Sequence, residues 1–536
     1  MKKSSFVFGA IILALSGVIC KILGAVYKIP LTNILGSEGI GIYYLIFPIY
    51  AFLLSFISSS FVVAISKNIS NLIAKKDDAK AHNLFKSCIC LLLLLGIFAS
   101  LLLVFLSKII ARLQGVENAF LCYVVIAPSL IAVSVSSAFK GYFQGLQNMV
   151  PTALSQVFSQ IIKLAGGFSF AAIFAKQGVI YGALGALVGI SISEIVGLLF
   201  FVIYYFIFKV KNKNLFLKIK QTAEKCNYFF YFKFIIKESI PLTLSSVILP
   251  MSMVIDSFLI VNILKSMGFD KGFATSLLGV NSGIVNTLVG LPTTICSGIC
   301  MTVIPYITYA LSNKNYEDVS KKISLSIKLS LFIAIPCAIV FALFSANILN
   351  ILYAASFDSF YELKFASTLL VLSSINILYL NMLQLTTSIL QALNRSYIPV
   401  ISLAVALIFK ILCEGVLISI PYLNIAGAII SNVVCYIISS AINVVYIKKQ
   451  VELKMQFYKT IICPIVCSLG ACGFIVCFRL IFDLFLSVNW SMLIALFLGA
   501  VIYFVLIFVF KGFSKEEKNI IFNLRRLKTK TTKKHV

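Results

Sequence analysis

YFQGLQNMVPTALSQVFSQIIKL, residues 142–164, returns in altered form at residues 389–411 as ILQALNRSYIPVISLAVALIFKI. At an offset of 247 residues, Gln144 falls on Gln391, Leu146 on Leu393 and Lys163 on Lys410. Each copy passes from a polar turn through a proline into an apolar run that holds a lysine. Two further echoes extend the likeness: KIPLT (28–32) with SIPLT (239–243), and KKDDAKAHNLF (75–85) with NYEDVSKKISL (315–325), which sets Asp78 over Asp318. The chain reads as two related halves running in the same direction. What the halves are made of decides what they can be.

Of the 536 residues, 60% are apolar and 12% charged, and the mean hydropathy is +1.04. Soluble domains run roughly 45–50% apolar and about 25% charged. Apolar stretches of ~20 residues, long enough to cross a ~30 Å hydrocarbon core, recur from end to end. The expected fold is an all-α polytopic membrane protein with fourteen transmembrane helices, the first over residues 5–27 and the last over 490–510. Pro292, Pro305 and Pro336 mark kinks in spans too long for one perpendicular crossing. The opening MKKSSFVFGAIILALSGVICK resembles a secretory signal, but no A-x-A-like site follows, so it reads as a retained first span.

The repeat unit is six spans. Residues 1–208 form an N-terminal lobe (spans 1–6) and residues 239–447 a C-terminal lobe (spans 7–12). A basic loop, 209–238, joins them, residues 460–510 add spans 13 and 14, and 511–536 are a basic tail. Parallel repeats of this kind are a transporter architecture, in which the substrate site lies between lobes that rock to give alternating access.

Basic residues set the orientation. With the N-terminus inside, 34 of the 45 Lys and Arg fall on the inner side, 7 on the outer side and 4 within spans. That asymmetry places both termini in the cytoplasm. The same bias accounts for the net charge of +27, which faces anionic membrane lipids; nucleic acid is not an expected partner. Fourteen cysteines lie almost entirely in apolar runs, where a thiol behaves as a small hydrophobe. With His82 and His535 the only histidines, neither a metal site nor a cofactor is expected.

Charges inside spans cost at least ~2.5–3.5 kcal/mol near the bilayer centre and so face a cavity or a partner. Lys163 lies 12 residues past Pro151 and Lys410 lies 11 past Pro399, which is ~18 and ~16 Å along a helix. Both are near mid-membrane, and each is expected to line a cavity. Lys21 is fifteen residues past Phe6, ~22 Å in, and either lines the cavity or snorkels. Glu194, Asp256 and Glu414 are also in spans, as candidates for coupling to Na+, H+ or the membrane potential. Glu414 follows Lys410 by four residues, so the two share a helix face and can neutralise each other. The excess of midplane lysine suggests an anionic substrate, since an ammonium serves phosphate as a point charge.

Between the first two apolar runs lies GAVYKIPLTNILGSEGIGIY, residues 24–43. Pro30 cannot continue a helix comfortably, and Gly36, Gly39 and Gly41 loosen the restart. With Asn33 and Glu38 this reads as a flexible polar joint at the outer mouth of the first lobe.

The longer stretch 24–67, GAVYKIPLTNILGSEGIGIYYLIFPIYAFLLSFISSSFVVAISK, resembles the start of the stage V sporulation protein B family. These are polysaccharide-export members of the multidrug/oligosaccharidyl-lipid/polysaccharide flippase superfamily, related to the MurJ lipid II flippases. The resemblance implies flipping of an undecaprenyl-pyrophosphate-linked cell-wall precursor from the inner to the outer leaflet of the bacterial cytoplasmic membrane. It also implies cavity cations that hold the pyrophosphate, and a groove for the lipid tail formed with spans 13 and 14. CKILGA (20–25) aligns with a first-span pattern that carries a basic residue, which gives Lys21 that role. Further MurJ arginines in spans 1, 2 and 8 are replaced here by Tyr27, LSFISSS (54–60) and NTLVGLP (286–292), which shifts weight onto Lys163 and Lys410 or onto a different lipid-linked sugar.

Three rivals share the pattern. The same fold could export another lipid-linked oligosaccharide for an exopolysaccharide, or act as a MATE-like cation-coupled drug antiporter, which would want acids in its cavity. A membrane enzyme would need a sizeable extramembrane site, and the outer loops offer only scattered acids. The chain is expected to be monomeric, with a cell-wall or sporulation machinery as its possible associate.

Overall fold

The computed structural model describes residues 3–213, 217, 228–312, 316–357, 359–453, 456–510 and 512. Residues 214–216 and 218–227 of the expected 209–238 loop and nearly all of the 511–536 tail lie outside the described residues. Among those described, every regular element is a helix. Twelve stretches are long and apolar enough to cross a membrane. One of them, Leu15–Ala74, has 60 residues, ~90 Å at 1.5 Å per residue, and takes in the second expected span and the larger part of the first. On Asp78–Leu113, Phe98, Leu101 and Phe105 are large apolar side chains left exposed, as a lipid-facing surface requires.

The helices, in chain order, begin with α1 (Lys3–Leu54), α2 (Ser60–Ala74), α3 (Asp78–Leu113), α4 (Phe120–Gly145), α5 (Val150–Ala175) and α6 (Val179–Lys211). There follow α7 (Tyr228–Ser266), α8 (Lys271–Leu278), α9 (Asn286–Ser312), α10 (Tyr316–Leu343) and α11 (Ser345–Tyr353). Then come α12 (Phe360–Ala392), α13 (Tyr397–Ile418), α14 (Ile425–Gln450), α15 (Cys463–Phe482) and α16 (Val488–Val509). Wide π turns interrupt the series at Ser55–Ser59, Gly279–Val285 and Tyr458–Ile462. A π turn leaves backbone groups without their usual partners; Ser246 Oγ donates to one of these, the Ser55 carbonyl, at 3.2 Å.

Two compact units divide the chain: Met1–Leu291 with Tyr353–Glu362 and Leu403–Cys435, and Pro292–Leu352 with Leu363–Ser402 and Tyr436–Val536. In the first unit, small residues bring helices close. A Cβ on Gly189 of α6 would lie 2.2 Å from Gly167 of α5, and one on Gly145 of α4 would lie 2.7 Å from Ile69 of α2. Without a hydrophobic drive between helices in lipid, such approaches are the main source of packing energy. An aromatic cluster fills one end, with Phe85 stacked on Tyr142 at 4.1 Å. A polar knot ties α1, α3, α4 and α7: buried Gln114 donates to the Leu45 carbonyl at 2.9 Å and Ser257 Oγ at 3.0 Å, and accepts from Tyr123 at 2.5 Å. At the start of α3, outside the apolar run, Asp77 caps the helix; the Lys80 side chain and backbone N–H hold its carboxyl below the usual range.

The second unit has its own core around Cys296, Ile323, Leu385 and Ile389. Ser402 joins α13 to α14 through Ser439 at 3.0 Å and Asn443 at 2.8 Å, and Asn443 reaches Thr386 of α12 at 3.2 Å. Every partner in that ladder is buried, as interhelical polar groups in a membrane need to be.

Candidate functional site

The joint at 24–43 is more helical than its composition suggests. α1 runs through Pro30, and only Gly36, with φ 67° and ψ −178°, leaves the helical region. That backbone conformation belongs to glycine, and it bends the chain there. Thr32 back-bonds to the Lys28 carbonyl at 2.8 Å, a contact that helps helices bend. Gly41 serves close packing: a Cβ on it would lie 2.1 Å from the Thr275 carbonyl of α8, and across the same contact one on Gly279 would lie 1.9 Å from the Ser37 carbonyl. Gly39 is buried next to Val179, Glu38 lies beside Gly272 at the start of α8, and Asn33 accepts from Ser356 at 2.6 Å. The joint is a single-residue bend clamped by neighbours, where the sequence suggested loose backbone.

The in-span cations have three different surroundings. Lys21 is exposed on α1. Lys163 on α5 is half-buried, its ammonium 5.5 Å from the Tyr27 ring centre and 5.7 Å from that of Phe47, an aromatic seat that stabilises a cation at the ring faces. Tyr27 thus forms one wall of the seat that holds the Lys163 ammonium. Lys410 on α13 is fully buried. It forms an ion pair with Asp256 of α7 and donates to Ser252 Oγ at 2.7 Å. Its charge is therefore engaged across helices, with Asp256, while Glu414 one turn along lies in the same buried cluster.

The three candidate acids fall in two places. Asp256 and Glu414 share the Lys410 cluster, and Glu414 is within hydrogen-bond reach of Asp256. Glu194 on α6 instead faces a polar cavity of about 290 Å³ with Lys140 of α4 and Gln156 and Gln160 of α5. Lys140 sits at the inner end of α4, where basic residues are expected from the orientation alone, so its place in the cavity comes only from the packing. The glutamines did carry a signal: Gln156 and Gln160 are one helical turn apart in an apolar span, so they share a face.

In the second unit, α9, α10, α15 and α16 enclose an apolar groove of about 850 Å³, lined by residues including Ile299, Phe332, Pro336, Ala471, Ala500 and Phe504. Tyr503 on α16 holds its wall by donating to the Phe332 carbonyl at 2.8 Å. Lys328 of α10 is 3% exposed, with its ammonium 5.7 Å from the Phe332 ring.

Similarity to other proteins agrees with these features. Residues 278–414 match the MatE family. The chain is 25% identical to stage V sporulation protein B of Bacillus subtilis over 96% of its own length and 98% of that protein. It is 25% identical to the Bacillus subtilis lipid II flippase MurJ over 83% of each. A solved structure of lipid II flippase MurJ in an inward closed conformation superposes with a TM-score of 0.68 and 16% identity, covering 94% of this chain and 99% of that one. Residues 6–311, more than half the chain, match the polysaccharide biosynthesis protein family, and with this helical architecture the chain is a multi-pass membrane member of that family, within the multidrug/oligosaccharidyl-lipid/polysaccharide flippase superfamily.

Proposed function

We propose that the protein is a flippase that moves a lipid-linked, pyrophosphate-bearing glycan of the peptidoglycan-precursor type from the inner to the outer leaflet. In this reading it crosses the cytoplasmic membrane fourteen times with both termini inside, as a monomer. Two six-span lobes alternate access, and no chemical step is catalysed. The likeness to a lipid II flippase over 83% of each chain, and to a sporulation protein over 96% of this one, supports the substrate class. The observation that carries it is the apolar groove built with α15 and α16, a lipid-sized channel that a carrier of small polar solutes has no use for.

The groove contributes position rather than affinity. An isoprenoid chain leaving lipid for protein gains no hydrophobic free energy, because lipid tails are as apolar as leucine. Discrimination then falls to the headgroup, where Lys21 and Lys163 offer ammonium groups to the pyrophosphate. Charge-assisted hydrogen bonds of that kind are roughly twice as strong as neutral ones. Lys410 contributes to the phosphate only when Asp256 releases it.

A MATE-like cation-coupled antiporter is the second reading, favoured by the MatE match over 278–414 and by the acids beside Lys410. An exporter of another lipid-linked oligosaccharide is the third. Complementation separates them. A bacterium depleted of its lipid II flippase is expected to grow when given the parent, and to fail with an equally expressed Lys21→Ala/Lys163→Ala variant. No rescue by a well-expressed parent would reject the peptidoglycan substrate.

A further inference from the structure

The geometry points to the Asp256–Lys410–Glu414 cluster as a proton-binding site whose cation position is occupied by the protein's own lysine, so that it takes H+ and excludes a metal cation. The argument starts from two facing helical turns. Ser252 and Asp256 lie one turn apart on α7, and Lys410 and Glu414 one turn apart on α13. Across that gap the Lys410 ammonium is held by the Asp256 carboxylate and by Ser252 Oγ at 2.7 Å. Its side chain is 1% exposed, against 16% for Asp256. Among the described residues, Cys435 of α14, a buried thiol, also faces Lys410 and Asp256.

Glu414 is what makes this a site rather than a structural ion pair. It is 0% exposed, and neither carboxyl oxygen has a hydrogen-bond donor among the described residues. Its neighbour within reach is Asp256, which as a carboxylate can only accept. With both acids ionised the cluster carries −1 around a fully buried Glu414, and two acceptors face each other. One proton resolves both problems. Taken up by Glu414, it supplies the missing donor, so that the Glu414 hydroxyl donates to Asp256 while Asp256 remains paired with Lys410. The cluster then moves between −1 and 0 as one H+ binds or leaves, and the partial exposure of Asp256 gives that proton a route. A sodium ion would need the space and the carboxylate that the ammonium already holds.

The site stands whether or not the substrate is a lipid-linked glycan; only its use to drive transport rests on the flippase reading. The test is therefore made on the purified, reconstituted protein without substrate. Dicyclohexylcarbodiimide reacts with protonated carboxyl groups in apolar surroundings, and mass spectrometry locates the adduct. Glu414 is expected to be labelled at neutral pH, to the same extent in sodium and in choline buffer, with labelling falling ~tenfold per pH unit once the medium passes its titration point. Lys410→Met, which vacates the cation position, is expected to make labelling sodium-sensitive. Glu414→Gln, which keeps the shape and serves as the folding control by gel filtration, should lose the adduct. A parent whose Glu414 stays unlabelled, or whose labelling sodium suppresses, would overturn the proposal. A failed complementation with normal labelling would reject the flippase reading alone.

Discussion

Replacing Lys410 by methionine removes the ammonium from the buried cluster and leaves two acids facing each other between α7 and α13. The ion pair with Asp256 and the 2.7 Å hydrogen bond to Ser252 Oγ are lost together. Breaking a buried pair from one side costs about 3–5 kcal/mol, because the remaining charge is stranded. If Glu414 already holds a proton, one carboxylate is stranded rather than two, which favours the lower end, about 3 kcal/mol. A kcal/mol shifts Tm by roughly 2–4 °C in a domain of 150–250 residues and by less in a longer chain, so the variant should melt about 5 °C below the parent. The assay is gel filtration of detergent-solubilised protein after stepped heating. The double variant Lys410→Met/Asp256→Leu removes both charges, and apolar replacement of a whole buried pair is often neutral. It is expected to regain most of the loss. A single variant as stable as the parent, or a double variant no better than the single, would refute the view that this ion pair organises the cluster.

Three further outcomes follow from the geometry. Gly36→Ala forces a side chain into a backbone region reserved for glycine, at roughly 1–3 kcal/mol. Gly24→Ala, with open space around its Cβ, should be neutral or stabilising; thermal unfolding of the two side by side checks the contrast. Gly41→Ala would place a carbon 2.1 Å from the Thr275 carbonyl, so it should sharply reduce the yield of monodisperse protein, and an unchanged yield would mean that α1 and α8 do not approach so closely. Ala500→Trp should fill part of the apolar groove and cut growth rescue at least ~tenfold at normal expression and Tm, since overpacking of an open groove carries little of the strain that it brings to a filled core.

The all-helical membrane class was legible in the sequence because it rests on long apolar runs, which helices in lipid must supply. The charged sites were only half legible. Lys163 and Lys410 occupy matching positions in the repeat, but their surroundings come from other helices. Tyr27 and Phe47 meet one, and Asp256 and Ser252 meet the other. Spacing showed that Lys410 and Glu414 share a face, but only the packing of α7 on α13 decides that Asp256 takes the ammonium. The three acids looked like one group for the same reason, and Glu194 proves to face Lys140 instead. At the joint, composition suggested irregular backbone. Yet proline and glycine each have a second use, as a tolerated kink and as a point of close contact, and only neighbouring helices distinguish these.

The central claim is transfer of a lipid-linked glycan across the bilayer, and direct observation in proteoliposomes tests it most closely. A fluorescent undecaprenyl-pyrophosphate glycan, incorporated in both leaflets, is exposed to a membrane-impermeant quencher. The account predicts that purified protein makes the protected inner-leaflet pool accessible well above the rate in empty vesicles, and that Lys21→Ala/Lys163→Ala abolishes the gain. A protected fraction that stays the same with well-folded protein would contradict the account.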